Sequence, residues 1–346
     1  MSRGLKRAAF FLALASVSFY AQGAFAAQVT TFVSPDSSFD GFSSFIDSVD
    51  SSLYLSVYEI DSPFVYEKIL KLLQEGKDVT VIVDDSPAGG LSRDEKSILS
   101  ALSIKGARVY ATGDQYRFYH GKYAVSDNDT LFLTTENLGR NGFPEPGSIG
   151  NRGWGVIIED RDISNYFAKV FFNDLEDSSS FEAIEGVEIN YSVSTVPYKP
   201  VFSLRRYEGD FKAVTLIAPE DAIEKIVWLL KSANTTINVE QFYIYKYWGE
   251  RKTGSVEKTP NQFLEAAIKA ARRGVKVRIL LDSTWYNIES GDPVSNYNTV
   301  LYVNEIARRE GLDMEARLAD LERLGIEKLH TKGVVVDRRA SCRERV

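Results

Sequence analysis

The chain has 346 residues, 44% hydrophobic and 26% charged, with a formal net charge of −7 and a pI near 5.2. That length is enough for two ordinary domains, and the composition is that of a folded globular protein. The acidic balance disfavours indiscriminate nucleic-acid binding, which draws on many Lys and Arg against phosphates, without excluding a local basic pocket, and the single Cys342 excludes an intrachain disulfide or a cysteine-rich metal cluster.

Residues 1–26 read as a secretory signal peptide. Arg3, Lys6 and Arg7 precede an apolar "AAFFLALASVSFY", too short to span a membrane, and "AFA" at Ala24–Ala26 offers a small-x-small cleavage site. Losing those three cations takes the net charge from −7 to −10. The mature protein is expected to be secreted or extracytoplasmic.

Strand and helix patterns then alternate, and they do so twice. The first series is "SSLYLSVYEI" (strand), "FVYEKILKLLQEGKD" (helix), "VTVIVDD" (strand), "SRDEKSILSALSIKG" (helix) and "ARVYAT" (strand). The second is "TTINVEQFYI" (strand), "NQFLEAAIKAARRGVK" (helix), "VRILLDS" (strand) and "NTVLYVNEIARREG" (helix). Ile69, Leu72 and Leu73 recur at helical spacing, as do Phe263, Ala267, Ile268 and Ala271. Thr259, Pro260 and Gln262 predict an N-cap, a first-turn proline and a capping-box partner, and Gly76 and Gly274 predict helix stops. Alternation of this kind predicts α/β layers around a largely parallel sheet. Residues 176–210, with "EDSSS", Pro197 and Pro200, predict the junction between a first lobe at 27–205 and a second at 206–346.

Each series ends on one of the chain's two histidines. "YHGKYAVSD" carries His120, Lys122 and Asp127; "LHTKGVVVD" carries His330, Lys332 and Asp337 at the same spacing. Both histidines would acquire that spacing by chance on the order of once in 10⁵, given typical Lys and Asp frequencies. Residues two apart on a strand share a face, so each His projects beside its Lys. After the turn at "SDNDT", the return strand "LFLTT" brings Asn137 back towards the first pair. The set suits a phosphate diester. Lys offers a fixed positive charge and Asn a neutral donor to phosphoryl oxygens. A neutral His attacks phosphorus, and a protonated one supplies the leaving oxygen with its proton. A histidine next to an ammonium makes a poor metal ligand.

The pattern His-x-Lys-x4-Asp-x6-(Gly/Ser/Thr)2-x-Asn resembles the signature of the phospholipase D superfamily. His120, Lys122, Asp127 and Asn137 match its spacing, with Thr134 and Thr135 where that family usually has Gly-Ser. "GNRGWGVIIEDRDISNYFAKVFFNDL" is similar to the segment that follows the signature there. The resemblance implies a bilobal α/β/α sandwich with one active site at the pseudo-twofold. It implies a phosphohistidine intermediate, a second histidine acting as acid and then base, and no required cofactor or metal. His120, Lys122, Asp127, Asn137, His330, Lys332 and Asp337 are the site residues it implies.

Two departures stand out. A carboxylate that in some members follows the first motif and orients a histidine falls here near Gly153 and Trp154, so Glu59 and Glu240, on comparable strands, are candidates to replace it. After Asp337 the first repeat's spacing would put an Asn one place beyond Val346. Instead residues 338–346, "RRASCRERV", read as a charged run foreign to the natural frame, and the second lobe is expected to be truncated and to lack its return strand.

Three functions compete. The first is an exported phosphodiesterase or phosphatidyltransferase on phospholipid, with peripheral membrane contact. The second is a secreted nuclease, which needs a basic, aromatic track such as Lys246, Arg251, Lys252 and Lys258 with Tyr243, Tyr245, Tyr247 and Trp248. The third is a binding module without turnover.

Overall fold

The computed structural model describes residues 24–113, 115–194, 196–249 and 253–342. Most of the expected leader, residues 1–23, lies outside them. The first lobe contains β1 (Ala24–Ser34), α1 (Ser38–Asp47), β2 (Ser52–Val57), α2 (Pro63–Gln74), β3 (Asp78–Val83), α3 (Arg93–Ile104) and β4 (Arg108–Thr112). It continues through β5 (Lys122–Ser126), β6 (Thr130–Thr134), β7 (Gly153–Glu159), α4 (Arg161–Glu176), β8 (Ser178–Ser180) and β9 (Arg205–Ala213). The second lobe repeats the plan with α5 (Ala222–Lys231), β10 (Thr236–Gln241), α6 (Gln262–Arg272), β11 (Lys276–Leu281) and α7 (Asn296–Glu310). It ends with β12 (Met314–Leu318), α8 (Leu321–Leu324), β13 (Lys332–Val336) and β14 (Arg339–Cys342).

Two sheets result, in the orders β8-β4-β3-β2-β5-β6-β7-β1-β9 and β12-β11-β10-β13-β14. Parallel pairing resides in the repeated units β2-β3-β4 and β10-β11-β12, and in each lobe the strand that follows the histidine adds antiparallel to the first strand of that unit. The first sheet reaches past the 205/206 boundary expected from sequence. β9 pairs with β1, with Val29 opposite Tyr207, so the second lobe's own elements begin at α5.

Helices cover both faces of the first sheet, which explains its continuous apolar strands. Leu53, Leu55 and Val57 meet Phe42, Phe45 and Ile69 on one face, while Ile82 and Val125 meet Phe167 and Phe171 of α4 on the other. In the second lobe Ile237, Val277, Ile279 and Val336 pack on Leu230, Ile268 and Val303. Each such burial contributes about 1.5–3 kcal/mol. Capping sets the helix starts. Ser62 caps α2, with Pro63 at its first turn, and Ser92 and Glu95 form a capping box on α3. The cap of α6 is Asn261 rather than Thr259, because the Asn261 carboxamide accepts from Phe263 N and Leu264 N and leaves Pro260 outside the helix.

The return strand expected to be missing is present. Arg339–Cys342 pairs with β13, Val336 opposite Arg339 and Gly333 opposite Cys342, so β13 is bonded on both sides. The turn accounts for it. Asp337 and Arg338 both have positive φ (47° and 69°), the type I′ geometry that matches strand twist, and Asp127 and Asn128 (51° and 57°) start the equivalent turn.

Asp127 and Asp337 tie these turns down. Asp127 accepts from the backbone N–H groups of Asp50, Ser51 and Ser52 at 2.7–2.8 Å and from Ser51 Oγ at 2.7 Å. Asp337 accepts from the same three places in its lobe, Asn234, Thr235 and Thr236 N at 2.8–2.9 Å and Thr235 Oγ1 at 2.7 Å. Burial pushes the Asp127 carboxyl up, but the donors from Asp50, Ser51 and Ser52 outweigh it and hold the pKa below 3.8. A depressed folded pKa stabilises above the unfolded value and loses that effect as pH falls through the folded one. Asp127→Ala is therefore expected to lose about 1–3 kcal/mol at neutral pH. In urea unfolding, its deficit against wild type should shrink below pH 3.8, and a deficit constant with pH would contradict the assignment.

Candidate active site

His120 lies just before β5, and Lys122 is the strand's first residue. Lys122 is only 2% exposed; its Nζ is 3.0 Å from His120 Nδ1 and 5.0 Å from the centre of the Tyr58 ring, which packs 4.3 Å from the imidazole. The second lobe repeats this. Lys332 Nζ is 2.9 Å from His330 Nε2, and the Phe242 ring lies 4.9 Å from His330. Register explains the likeness: Lys122 pairs with Val57 and Lys332 with Gln241, so Tyr58 and Phe242 are the next residues in each lobe.

Two carboxylates not singled out from sequence aim the histidines. Asp84, directly after β3, accepts from Tyr119 N, and Asp282, directly after β11, accepts from Leu329 N at 2.8 Å. Each therefore grips the backbone one residue before its histidine. Both are buried, at 2% and 0% exposure. Burial pushes the Asp84 carboxyl above its ordinary value despite the donors from Ser86 and Tyr119.

The lobes meet along residues 150–152 and 327–330. Arg152 N donates to Lys328 O at 2.8 Å, His330 N to Arg152 O at 2.9 Å, and Glu327 N to Gly150 O at 2.9 Å. Across this seam Lys332 Nζ donates to Thr135 O at 3.1 Å, and both Glu136 carboxylate oxygens lie 3.2 Å from His330 Nδ1. Glu136 is 1% exposed and also accepts from Asn151 Nδ2 at 3.0 Å. It is the histidine-orienting carboxylate sought at Gly153 and Trp154. Gly153 is its seat, since a Cβ there would lie 2.2 Å from Glu136 Oε1.

Burial first, then the Lys332 charge, push the His330 pKa below 6.5, and Glu136 opposes them. Lys has only donors and a carboxylate only acceptors, so neutral His330 carries its proton on Nδ1 and a lone pair on Nε2.

His120, Asn137, His330 and Lys332 line one cavity of about 1280 Å³. Glu59 lines it too and accepts from Asn137 Nδ2, so it orients the asparagine rather than a histidine. Four sequence candidates do not line the cavity. Lys122 is buried against His120. Asp127 and Asp337 sit at the far ends of β5 and β13, roughly 17 Å along the strand from the lysines at about 3.4 Å per residue. Glu240 pairs with Gly333 and lines a separate groove with Trp154 and Arg278, because it falls three residues before Tyr243, the true counterpart of Glu59. Of the expected basic track, Lys246 and Lys258 do not line the cavity, and Arg251 and Lys252 lie outside the described residues; Tyr243, Tyr245 and Trp248 do line it. Among the described residues no group of His, Cys, Asp and Glu has the makings of a metal site, and no helix is long and apolar enough to cross a membrane.

The sequence matches the family described as cardiolipin synthase, PLD-like domain, over residues 42–175 and again over 226–342. The chain belongs to this phospholipase D-like family. Its members are generally phosphodiesterases or phosphatidyltransferases. Among solved structures, phosphatidylserine synthase of Haemophilus influenzae Rd KW20 is similar at a TM-score of 0.56 and 13% identity, over 92% of this chain and 78% of that one. Nuc, a phospholipase D family member from Salmonella typhimurium, is similar at 0.41 and 18% identity, over 45% of this chain and 98% of that one. NucT from Helicobacter pylori is similar at 0.38 and 17%, over 44% and 98%. No curated protein sequence matches the chain significantly. The first of these structures shares the two-lobed fold across nearly the whole chain.

With only two histidines present, imidazole titration by NMR reads each directly. His330 is expected to titrate below 6.5, and lower still in Glu136→Gln, which removes the carboxylate charge that raises it. A His330 titration unmoved by that substitution would show that Glu136 does not position the ring.

Proposed function

We propose that the chain is an exported phosphodiesterase or phosphatidyltransferase of phospholipase D type that acts on phospholipid. The observation that carries this is the convergence of His120 from one lobe and the His330–Lys332 pair from the other on one cavity, with Lys122 buried against His120 and a buried carboxylate of the first lobe on the histidine of the second. His120 attacks phosphorus, forming a P–N bond as the P–O bond to the leaving alcohol breaks. His330 delivers a proton to that oxygen. His330 then takes a proton from water or a second alcohol, which attacks phosphorus and frees His120. Lys122, Lys332 and Asn137 stabilise the phosphoryl oxygens. His330 favours its neutral form in the free site, so the arriving anion and Glu136 together promote the imidazolium that the first step needs.

Three features favour lipid over nucleic acid. The chain is acidic, and the expected leader at 1–26 would deliver the protein to lipid outside the cytoplasm. Trp285, 72% exposed, stands 5.3 Å from Tyr286, and Tyr286 and Tyr243 line the cavity. An aromatic rim of this kind suits the apolar-to-polar boundary of a bilayer surface and supports peripheral membrane contact. The nuclease reading has one observation in its favour, the stacking of Tyr243 on Tyr245 at 5.1 Å, which would suit an unpaired base.

Labelled phospholipid and labelled DNA, offered side by side with excess chelator, test the proposal. Phospholipid turnover that survives the chelator is expected, with trapped phosphate on the peptide containing His120. Label on the His330 peptide would reverse the two roles, turnover of DNA alone would favour the nuclease, and activity lost to chelator and restored by zinc or calcium would refute the mechanism.

A further inference from the structure

The first-lobe wall of the cavity carries Glu59, Asp61 and Glu95 beside Asn137. Asp61 is matched: it accepts from Arg140 N at 2.9 Å and Arg140 Nη1 at 3.3 Å, and the same guanidinium holds Asp94 at 2.9 Å. Glu59 and Glu95 form no ion pair with any described residue. Glu59 accepts from Asn137 Nδ2, and Glu95 Oε2 from Ser92 N at 2.8 Å. Glu95 is 5% exposed, and its Oε1 has no hydrogen-bond partner of good geometry, although the backbone N–H of Ile60 lies near enough to act on the carboxyl. Asn137 Oδ1 is equally buried and unmatched. The unmet groups on this wall are thus all acceptors, and two of the residues are carboxylates close enough to disturb each other. Burial and then the Glu95 charge push the Glu59 carboxyl up against the Lys122 charge and the Asn137 donor; burial and the Asp61 charge push Glu95 up against donors from Ser92 and the backbone of Ile60. Such carboxylates are costly unless an opposite charge joins them. The other cations lining the cavity are placed elsewhere: Arg117 stacks on Phe118 at 5.8 Å, Lys328 on Tyr286 at 5.6 Å, and Lys332 contacts His330.

We infer that Glu59, Glu95 and Asn137 form a head-group subsite that takes the primary ammonium of an amino alcohol esterified to the substrate phosphate. This deepens the phospholipid reading and rests on it. A primary ammonium brings one positive charge and three N–H donors to a wall whose three carboxylates outnumber the two cations, Lys122 and Arg140, that act on them. A trimethylammonium brings the charge without donors, and a glycerol head group brings hydroxyl donors without charge. A polynucleotide, with a negative charge on every neighbouring phosphate, is repelled. The wall belongs to one lobe only, because the counterpart of Glu59 is Tyr243. The cavity is therefore acidic on the first lobe and aromatic on the second, which suits a diester with one cationic and one apolar arm.

The test is calorimetric binding of three soluble diesters to the full chain in a His120→Ala background, where the ligand is not consumed. The probes are sn-glycero-3-phosphoethanolamine, sn-glycero-3-phosphocholine and sn-glycero-3-phosphoglycerol. The ethanolamine diester is expected to bind at least about tenfold more tightly than either of the others. Glu95→Gln, which keeps the capping-box acceptor for Ser92 N, should reduce that preference to about twofold or less, and so should Glu59→Gln. Circular dichroism and thermal unfolding establish that each variant is folded, and either variant alone suffices. Equal affinities, no binding of the ethanolamine diester by folded protein, or a preference that survives both substitutions would overturn the subsite. Turnover of the corresponding phospholipids by the wild-type chain is a separate readout. Preference in binding without turnover would retain the subsite and refute the phosphodiesterase reading.

Discussion

The contact on which the site depends is the one between Glu136 and His330. A carboxylate at 1% exposure needs partners, and Glu136 finds them in Asn151 and in a histidine from the other lobe. The first lobe thereby holds a charge that the second lobe helps to satisfy, and the second holds a ring whose tautomer the first lobe sets. Separating the lobes would leave a buried carboxylate poorly partnered, a cost of several kcal/mol for an ion removed from water. The room for this pair comes from glycine: a Cβ at Gly153 or Gly142 would collide with the Glu136 side chain at 2.2 and 2.8 Å.

Around that contact the two lobes use the same devices. An aspartate after the second strand of each repeated unit grips the backbone before its histidine, an aromatic ring backs each imidazole, and an aspartate in each hairpin ties the turn to the start of the unit. The lobes differ in the walls they give the cavity. Glu59 and Glu95 make one wall acidic, while Tyr243 and the exposed Trp285 make the other aromatic. The copies agree in the devices around the histidines and diverge in the two walls.

Much of this was legible in the sequence because its strongest signals are local. Strand and helix periods, and the His-x-Lys spacing, depend only on neighbours along the chain, so the α/β repeat and the histidine pairs could be read directly. Spacing does not reveal which end of a strand faces the site: Asp127 and Asp337 share a motif with the histidines yet lie at the opposite ends. Position within strand-like text pairs Glu240 with Glu59, whereas pairing with the lysines places the match at Tyr243. Glu136 gave no signal, since a glutamate after an apolar strand usually meets water; only the seam between lobes makes it buried. Asp84 and Asp282 could have been found, because each follows the apolar strand "VTVIV" or "VRILL" at the same place in the repeat. The charge of the residues after Asp337 hides the final strand. Its formation depends on the left-handed pair Asp337 and Arg338, which turns the backbone whatever the polarity of the residues that follow.

The central claim is that two lobes build one catalytic unit in which neither histidine works alone. A double-mutant cycle tests it most directly: single-turnover rates of wild type, His120→Ala, His330→Ala and the double variant on one phosphodiester. If the pair acts as a unit, each single substitution removes most of the acceleration and the double variant is little slower than either one. If the two losses instead multiply, the histidines act independently, and the account of a shared site is contradicted.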